Sequence, residues 1–210
     1  MSLLLFDEEL KKRYAKNYII GVDESGRGPL AGPVVACACV YFSTSDDFID
    51  EIDDSKKLSS LKRDEIFKKI ISSTSLRFSF AYSSHSEIDK INILNASLLS
   101  MRKAVIKIME YTNLNKEDVI IIVDGNKKIP NLDIIQLPII KGDSKSLSIA
   151  TASISAKFLR DRWMDVIDIK YPQYNFKRHK GYPTKLHKEL IKKYGLSPFH
   201  RKSFSPCFNL

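Results

Sequence analysis

The sequence is poor in several residue types, and each shortage narrows what the chain can be. Three cysteines in 210 residues, Cys37, Cys39 and Cys207, build no disulfide framework, and Cys-x-Cys is not the CxxC spacing of zinc or redox sites. Buried thiols in a reducing compartment are the plain reading. No apolar run is long enough to cross a bilayer. The N-terminus sets Asp7-Glu8-Glu9 directly behind four apolar residues, the wrong order for a secretory signal. Histidine is scarce too, with none before His85. No repeat or low-complexity tract interrupts the chain. These shortages point to a soluble, cytoplasmic protein.

What is present suits a globular fold. A hydrophobic content of 43% supports a buried core, and the length suits one domain with a small appendage. Apolar runs at 18–23, 34–42, 76–83, 119–123 and 133–140 predict strands. Periodic stretches at 5–16, from Ser60 onward, at 88–111, 146–169 and 184–194 predict helices. In the helix from Ser60 the apolar positions are Leu61, Phe67, Ile70 and Ile71. Strands alternating with helices define an α/β fold with a mixed central β-sheet flanked by helices. The net charge of +9 is unevenly placed: residues 171–210 hold nine Lys or Arg against one acid, Glu189, along with His179, His187 and His200. A boundary is expected near Tyr171-Pro172, dividing residues 1–170 from a basic C-terminal helical segment, 171–210. Such a field favours a polyanionic partner.

Three apolar segments run into acid: Asp23-Glu24 after the first strand, Asp124 after Val119–Val123, and Asp143 after Ile134–Ile140 and Lys141-Gly142. In an α/β sheet ligands gather at strand ends, so acids distant in sequence can meet there. Clustered carboxylates raise one another's pKa unless a cation is supplied. An all-oxygen set suits Mg²⁺ or Mn²⁺, and four such groups can hold two ions about 3.5–4 Å apart for in-line phosphoryl displacement. Adjacent strand residues face opposite ways, so Asp23 and Glu24 converge only where the strand ends or twists, a departure that Gly26 and Gly28 make cheap. Plainer roles stay open: Asp124-Gly125 is a favoured turn pair, Asp143 suits a helix cap, and Arg27 can pair with Glu24.

The motif GVDESGRGPLAGPV, from Gly21 to Val34, resembles the opening signature of the ribonuclease HII family, bacterial type. Further blocks follow in the family's order: DSKKL at 54–58, NILNA at 92–96, VDG at 123–125, KGDSKS at 141–146, ASISAKFLRD at 152–161, HKGYPT at 179–184 and HRKSF at 200–204. The resemblance covers nearly the whole chain. It implies a ribonuclease H-like fold and a metal-dependent endonuclease that cuts the RNA strand of RNA–DNA hybrids. It further implies incision 5′ to ribonucleotides embedded in duplex DNA, leaving 3′-hydroxyl and 5′-phosphate ends, by a monomer acting in replication and ribonucleotide excision repair.

By the family pattern, Asp23, Glu24, Asp124 and Asp143 are the catalytic metal ligands, for two Mg²⁺ or Mn²⁺ ions when substrate is bound. Gly26-Arg27-Gly28 is expected to read the 2′-hydroxyl, the atom that separates RNA from DNA, with a side chain at either glycine obstructing the approach. Tyr182 is expected to stack on the sugar after the ribonucleotide. Lys56, Asn92, Asn95, Lys145 and Lys180 are candidates for phosphate or backbone contact, with Lys177, Lys185 and Arg201 as looser ones. Asp161, flanked by Arg160 and Arg162, is expected to make a structural ion pair, and Ser153 is expected merely to fit close packing. The rivals are a proofreading exonuclease, against which the adjacent Asp23-Glu24 pair argues, and a hybrid-binding module without catalysis, which the four carboxylates disfavour.

Overall fold

A computed structural model describes residues 2–53, 55 and 57–207. Lys56 and its expected phosphate contact lie outside the described residues. The apolar runs become five strands: β1 (Tyr18–Ser25), β2 (Val34–Tyr41), β3 (Leu76–Ser83), β4 (Val119–Asp124) and β5 (Gln136–Ile139). They form one sheet in the order β3-β2-β1-β4-β5. The first three strands pair antiparallel, whereas β4 runs parallel to β1 and β5 parallel to β4. The pairing is mixed, as the alternation of elements predicts.

Two helices cover the sheet, which explains why β1, β2 and β4 are buried almost throughout. On one face Ile20, Val22, Val119, Ile121 and Val123 pack with Met101, Val105 and Ile108 of α4 (Ile93–Thr112). On the other, Ile19, Ile120 and Ile122 meet Ile149 of α5 (Leu147–Lys170), and Cys37 and Cys39 lie with Ala150 and Ala152. Each fully buried branched aliphatic side chain contributes about 1.5–3 kcal/mol, so these two layers dominate stability. The small residues of α5 do let it approach closely. A Cβ at Gly21 would stand 2.2 Å from the carbonyl carbon of Ser148, so β1 and α5 touch backbone to backbone.

Four expectations need correction. The stretch 88–111 is not one helix: α3 (His85–Ile91) stops at Asn92, whose φ is +65°, before α4 begins. The Asn92 side chain accepts the Asn95 amide at 3.0 Å and so caps α4, while the apolar period runs on across the break. After α1 (Leu3–Tyr14), α2 (Ser60–Ser72) buries Ile66, Phe67 and Ile70, whereas Leu61 and Ile71 face solvent. The segment 133–140 supplies only the four residues of β5. Finally, β1 does not end between its two acids but continues to Ser25, with Glu24 still paired to Ala36 of β2.

The basic segment is laced into the fold. After a short turn at Pro172–Tyr174 come α6 (Phe176–His179) and α7 (Lys185–Tyr194), the latter capped by Thr184 and Gly195. Phe199 O accepts the Gly32 amide at 3.0 Å, and the Arg201 amide donates to Leu30 O at 2.8 Å. Both bonds tie this segment to the loop after β1. No described helix is long and apolar enough to cross a membrane.

Candidate active site

The parallel register of β1 and β4 ends with Val22 beside Val123, and the next residue on each strand is acidic. In parallel pairing neighbours in register share a face. Asp23 and Asp124 accordingly follow Ile19 and Ile120 onto the α5 side. Beyond Val22 the edge of β1 towards β4 carries no further ladder pair, which opens a cleft of about 420 Å³ at the strand ends. Asp23, Glu24, Ser25, Gly26, Arg27, Gly28, Ser55, Arg63, Asp124, Ser153, Lys157 and Tyr182 line it. Glu24 points to the opposite face by the strand period, yet lines the cleft where β1 has no further ladder pair with β4.

Three cations, Arg27, Arg63 and Lys157, line the cleft with three acids, and the electrostatic strain concentrates on Asp23. Asp23 is 5% exposed. Burial, then Glu24, then Asp124 hold its carboxyl well above the ordinary carboxylate range, against side-chain and backbone hydrogen bonds from Ser153 and Glu24. The Glu24 amide donates to Asp23 Oδ1 at 2.7 Å. Burial also raises Glu24, opposed by Arg27, whose Nη1 lies 3.4 Å from Glu24 Oε1. The pairing allowed for by the sequence therefore exists, but its guanidinium half is 53% exposed and the bond is long. Asp124 Oδ1 accepts the Gly142 amide at 2.7 Å.

Asp143 is placed differently from the other three acids. It is 3% exposed in a single 3₁₀ turn, Gly142–Ser144, before α5, whose N-cap is Ser146. It lies one residue beyond the amide held by Asp124, outside the described lining of the cleft. Among the described residues no three His, Cys, Asp or Glu side chains stand together in a geometry that holds an ion. The chemistry of the donor set nonetheless fits a hard cation. The lining is rich in oxygen donors, and a buried carboxylate with two acidic neighbours is costly until a positive charge arrives.

The Gly-Arg-Gly turn and Tyr182 form the far wall. Gly26 has φ +106°, and a Cβ there would sit 2.2 Å from Arg160 Nε. Gly28 differs: its Cβ would meet only Tyr182 Cε1, at an ordinary contact distance of 3.8 Å. Gly28 thus has room for a methyl beside Tyr182, whereas Gly26 is required by backbone conformation and packing. Tyr182 is 40% exposed, with its ring 5.7 Å from the Arg160 guanidinium carbon.

Two buried arginines shape this wall, and one of them differs from its expected role. Arg201, a looser phosphate candidate, is fully buried and donates to Gly26 O, Arg27 O, Gly32 O and Pro33 O. Arg160 donates to Pro33 O, Ala31 O and Lys180 O. Capturing the Gly26 and Arg27 carbonyls turns the amides of the same trans peptides, those of Arg27 and Gly28, the other way.

Other candidates lie elsewhere. Lys180 pairs with Asp165 and also donates to Asp161 O, so its ammonium is engaged. Asn92, Asn95 and Lys145 are exposed but outside the cleft lining. Asp161 makes the expected ion pair, though with Lys157 at 2.5 Å and Arg63 at 4.0 Å rather than with the adjacent arginines. His187 and His200 do not add positive charge: burial lowers both to about 4. Ser153 does more than fit close packing: it lines the cleft, bonds Asp23, and meets Ser55 Oγ at 2.9 Å. The signal was the i, i+4 spacing of Ser153, Lys157 and Asp161 on one face of α5.

A mixed five-stranded sheet flanked by helices, with acids at its strand ends, is the architecture of the ribonuclease H-like class. The comparisons carry this further. The sequence profile described as Ribonuclease HII matches residues 20–207. A ribonuclease HII of Clostridioides difficile is 51% identical over 187 residues, spanning 89% of this chain and 69% of the relative. The crystal structure of ribonuclease H2 from Pyrococcus horikoshii superimposes with a TM-score of 0.71 at 25% identity, covering 91% of this chain and 96% of that one. Bst ribonuclease HIII, solved in complex with Mn²⁺, gives a TM-score of 0.71 at 18% identity, covering 99% of this chain and 72% of that one. The chain belongs to the ribonuclease HII family: it is an endoribonuclease of the ribonuclease H type, acting on RNA–DNA hybrids.

Proposed function

We propose that this enzyme also incises duplex DNA 5′ to an embedded ribonucleotide, leaving 3′-hydroxyl and 5′-phosphate ends. Two divalent ions, Mg²⁺ or Mn²⁺, are held for this by Asp23, Glu24, Asp124 and Asp143. The observation that carries the reading is the Asp23 carboxyl beside Asp124 at the end of the parallel register, raised by burial first and then by its acidic neighbours. Mn²⁺ bound to a protein of the same fold supports the choice of ion. Such cations, when bound, supply Lewis acidity that acidifies an attacking water and stabilises the leaving 3′-oxygen.

The chain's own residues then have distinct tasks. Ser153 and the Glu24 amide orient the Asp23 carboxylate. Asp124, through the Gly142 amide, carries the turn holding Asp143. The amides of Arg27 and Gly28 face the sugar, and Tyr182 closes the gap on the next nucleotide, where a second 2′-hydroxyl has little room. Arg27, released from its long contact with Glu24, is a donor for the sugar or its phosphate. Exposed basic residues of 171–210, among them Lys177 and Lys185, together with Lys145, Asn92 and Asn95, bind backbone phosphates outside the cleft. The account fits a cytoplasmic monomer that removes ribonucleotides during DNA replication and repair. The test is a duplex with one ribonucleotide, incubated with Mg²⁺, Mn²⁺ or chelator, followed by mapping of the cut and its ends. A cut on the 5′ side that chelator abolishes is expected; degradation from a free 3′ end, or a cut that survives chelation, contradicts it.

A further inference from the structure

Three of the four histidines form a buried cluster behind Tyr182, outside the carboxylate site. The His179 and His187 rings stack at 4.1 Å and 18°, and His200 lies against His187 with Nε2 to Nε2 at 3.0 Å. Phe176 packs on all three rings and Tyr174 on His200. Nothing in the hydrolytic reaction described above uses these imidazoles.

Their hydrogen bonds fix which nitrogen of each ring carries the proton. The Ser197 amide donates to His200 Nδ1 at 2.8 Å, so that nitrogen is an acceptor and the His200 proton sits on Nε2. That Nε2–H can point only to His187 Nε2, which must then be unprotonated. The His187 proton is left on Nδ1, from which it donates to Tyr182 O at 2.9 Å. By the same logic the Gly181 amide donates to His179 Nδ1 at 3.2 Å, and His179 Nε2–H donates to Tyr174 O at 2.8 Å. The chain of donors Ser197, His200, His187 runs one way and ends on the carbonyl of the residue that walls the cleft.

The other end of the chain is anchored as well. His200 forms a β-bridge with Ala31, and the next residue, Arg201, holds Gly26 O and Arg27 O. One bracket therefore touches both walls of the gap between Gly28 and Tyr182. We propose that His187 and His200 are positioning residues for the recognition of the ribonucleotide junction, fixing Tyr182 against the Gly-Arg-Gly turn through a single order of neutral tautomers. The Tyr182 backbone has two other ties, its amide to His179 O and its carbonyl to the Thr184 amide, so losing the His187 bond loosens the ring's placement without freeing the segment. The inference rests on the proposed reading of embedded ribonucleotides.

Two measurements test it. The first needs no substrate: nitrogen-15 spectra of the intact protein at neutral pH should show His187 protonated on Nδ1 and His200 on Nε2. Imidazolium signals, or a proton on His187 Nε2, overturn the proposal. The second compares kcat and KM on a single-ribonucleotide duplex and on a continuous RNA–DNA hybrid for His187→Phe and His187→Asn. Phe lacks the donor, and should lower the junction-to-hybrid ratio of kcat/KM about fivefold, the scale of one hydrogen bond. Asn presents an N–H where Nδ1 stood, and should restore the ratio. A parent enzyme that leaves the junction duplex uncut sinks the substrate reading and this inference together. A parent that cuts it, with His187→Phe keeping the full ratio, sinks the inference alone.

Discussion

Asp124 Oδ1 accepts the Gly142 amide at 2.7 Å, so the carboxylate that ends β4 holds the turn carrying Asp143. A Cβ at Gly142 would sit 2.5 Å from Ile149 Cδ1 and 3.3 Å from Asp124 Oδ1, which keeps this approach closed to larger residues. The second and third acidic segments of the sequence are thereby joined by one hydrogen bond. The first joins them through the register of β1 with β4.

The two glycines flanking Arg27 should respond differently to alanine. Gly26→Ala collides with Arg160 Nε at a φ of +106°, and should cost about 1–3 kcal/mol of stability, read from denaturant unfolding. Gly28→Ala has room in the free enzyme and should unfold like the parent, yet lose cleavage, because its methyl occupies the gap facing Tyr182. Equal stability losses for both variants would contradict the division.

The Asp23 carboxyl is held above its ordinary value of 3.8. Between that value and the raised one, the folded chain binds a proton that the unfolded chain has released. Stability without divalent ions therefore falls as pH rises through that window and is greatest on its acid side. Asp23→Asn keeps an acceptor for the Glu24 amide and removes the charge, so its metal-free Tm should exceed the parent's at neutral pH. Added Mg²⁺ should raise the parent's Tm more than the variant's. Thermal melts with chelator and with Mg²⁺ check both, and a variant less stable than the parent in chelator contradicts the assignment.

The imidazoles give the opposite slope. His187 and His200 titrate near 4 in the folded chain, down from 6.5, chiefly through burial. Their contribution is fully present above 6.5 and is lost as pH falls through about 4. His200→Gln should lower Tm on the alkaline side, where the buried imidazole's bonds are lost, and flatten the acid limb of a plot of Tm against pH.

Arg201 holds four carbonyls of the loop after β1 while fully buried. Arg201→Met should cost at least about 3 kcal/mol, since it strands buried acceptors rather than a surface charge. Chemical denaturation reads this directly. A change below 1 kcal/mol, about the scale of a surface contact, would return Arg201 to the list of phosphate contacts.

Much of this architecture is legible in the residues, for identifiable reasons. Strands buried on both faces leave unbroken β-branched runs, and Val119–Val123 ending in Asp124 needs nothing else to be placed. The break at Asn92 is hidden because the side chain that ends one helix starts the next, so the apolar period hardly falters. The acids are visible because charge at the end of a core strand is costly. The roles of Arg160 and Arg201 are not, because a buried guanidinium that donates to backbone carbonyls has no sequence partner to betray it. The histidines mislead for a related reason: a basic neighbourhood in sequence says nothing of the aromatic cage that keeps them neutral.

The central claim is that Asp23 and Asp124 do chemistry rather than hold the fold. The direct measurement is Mg²⁺-dependent cleavage of an end-labelled RNA–DNA hybrid by Asp23→Asn and Asp124→Asn, beside hybrid binding by the same proteins. Turnover should fall by more than the roughly 10–100-fold typical of groups that only support a metal ligand, with binding retained. Undiminished turnover in either variant, or loss of binding in step with turnover, contradicts the claim.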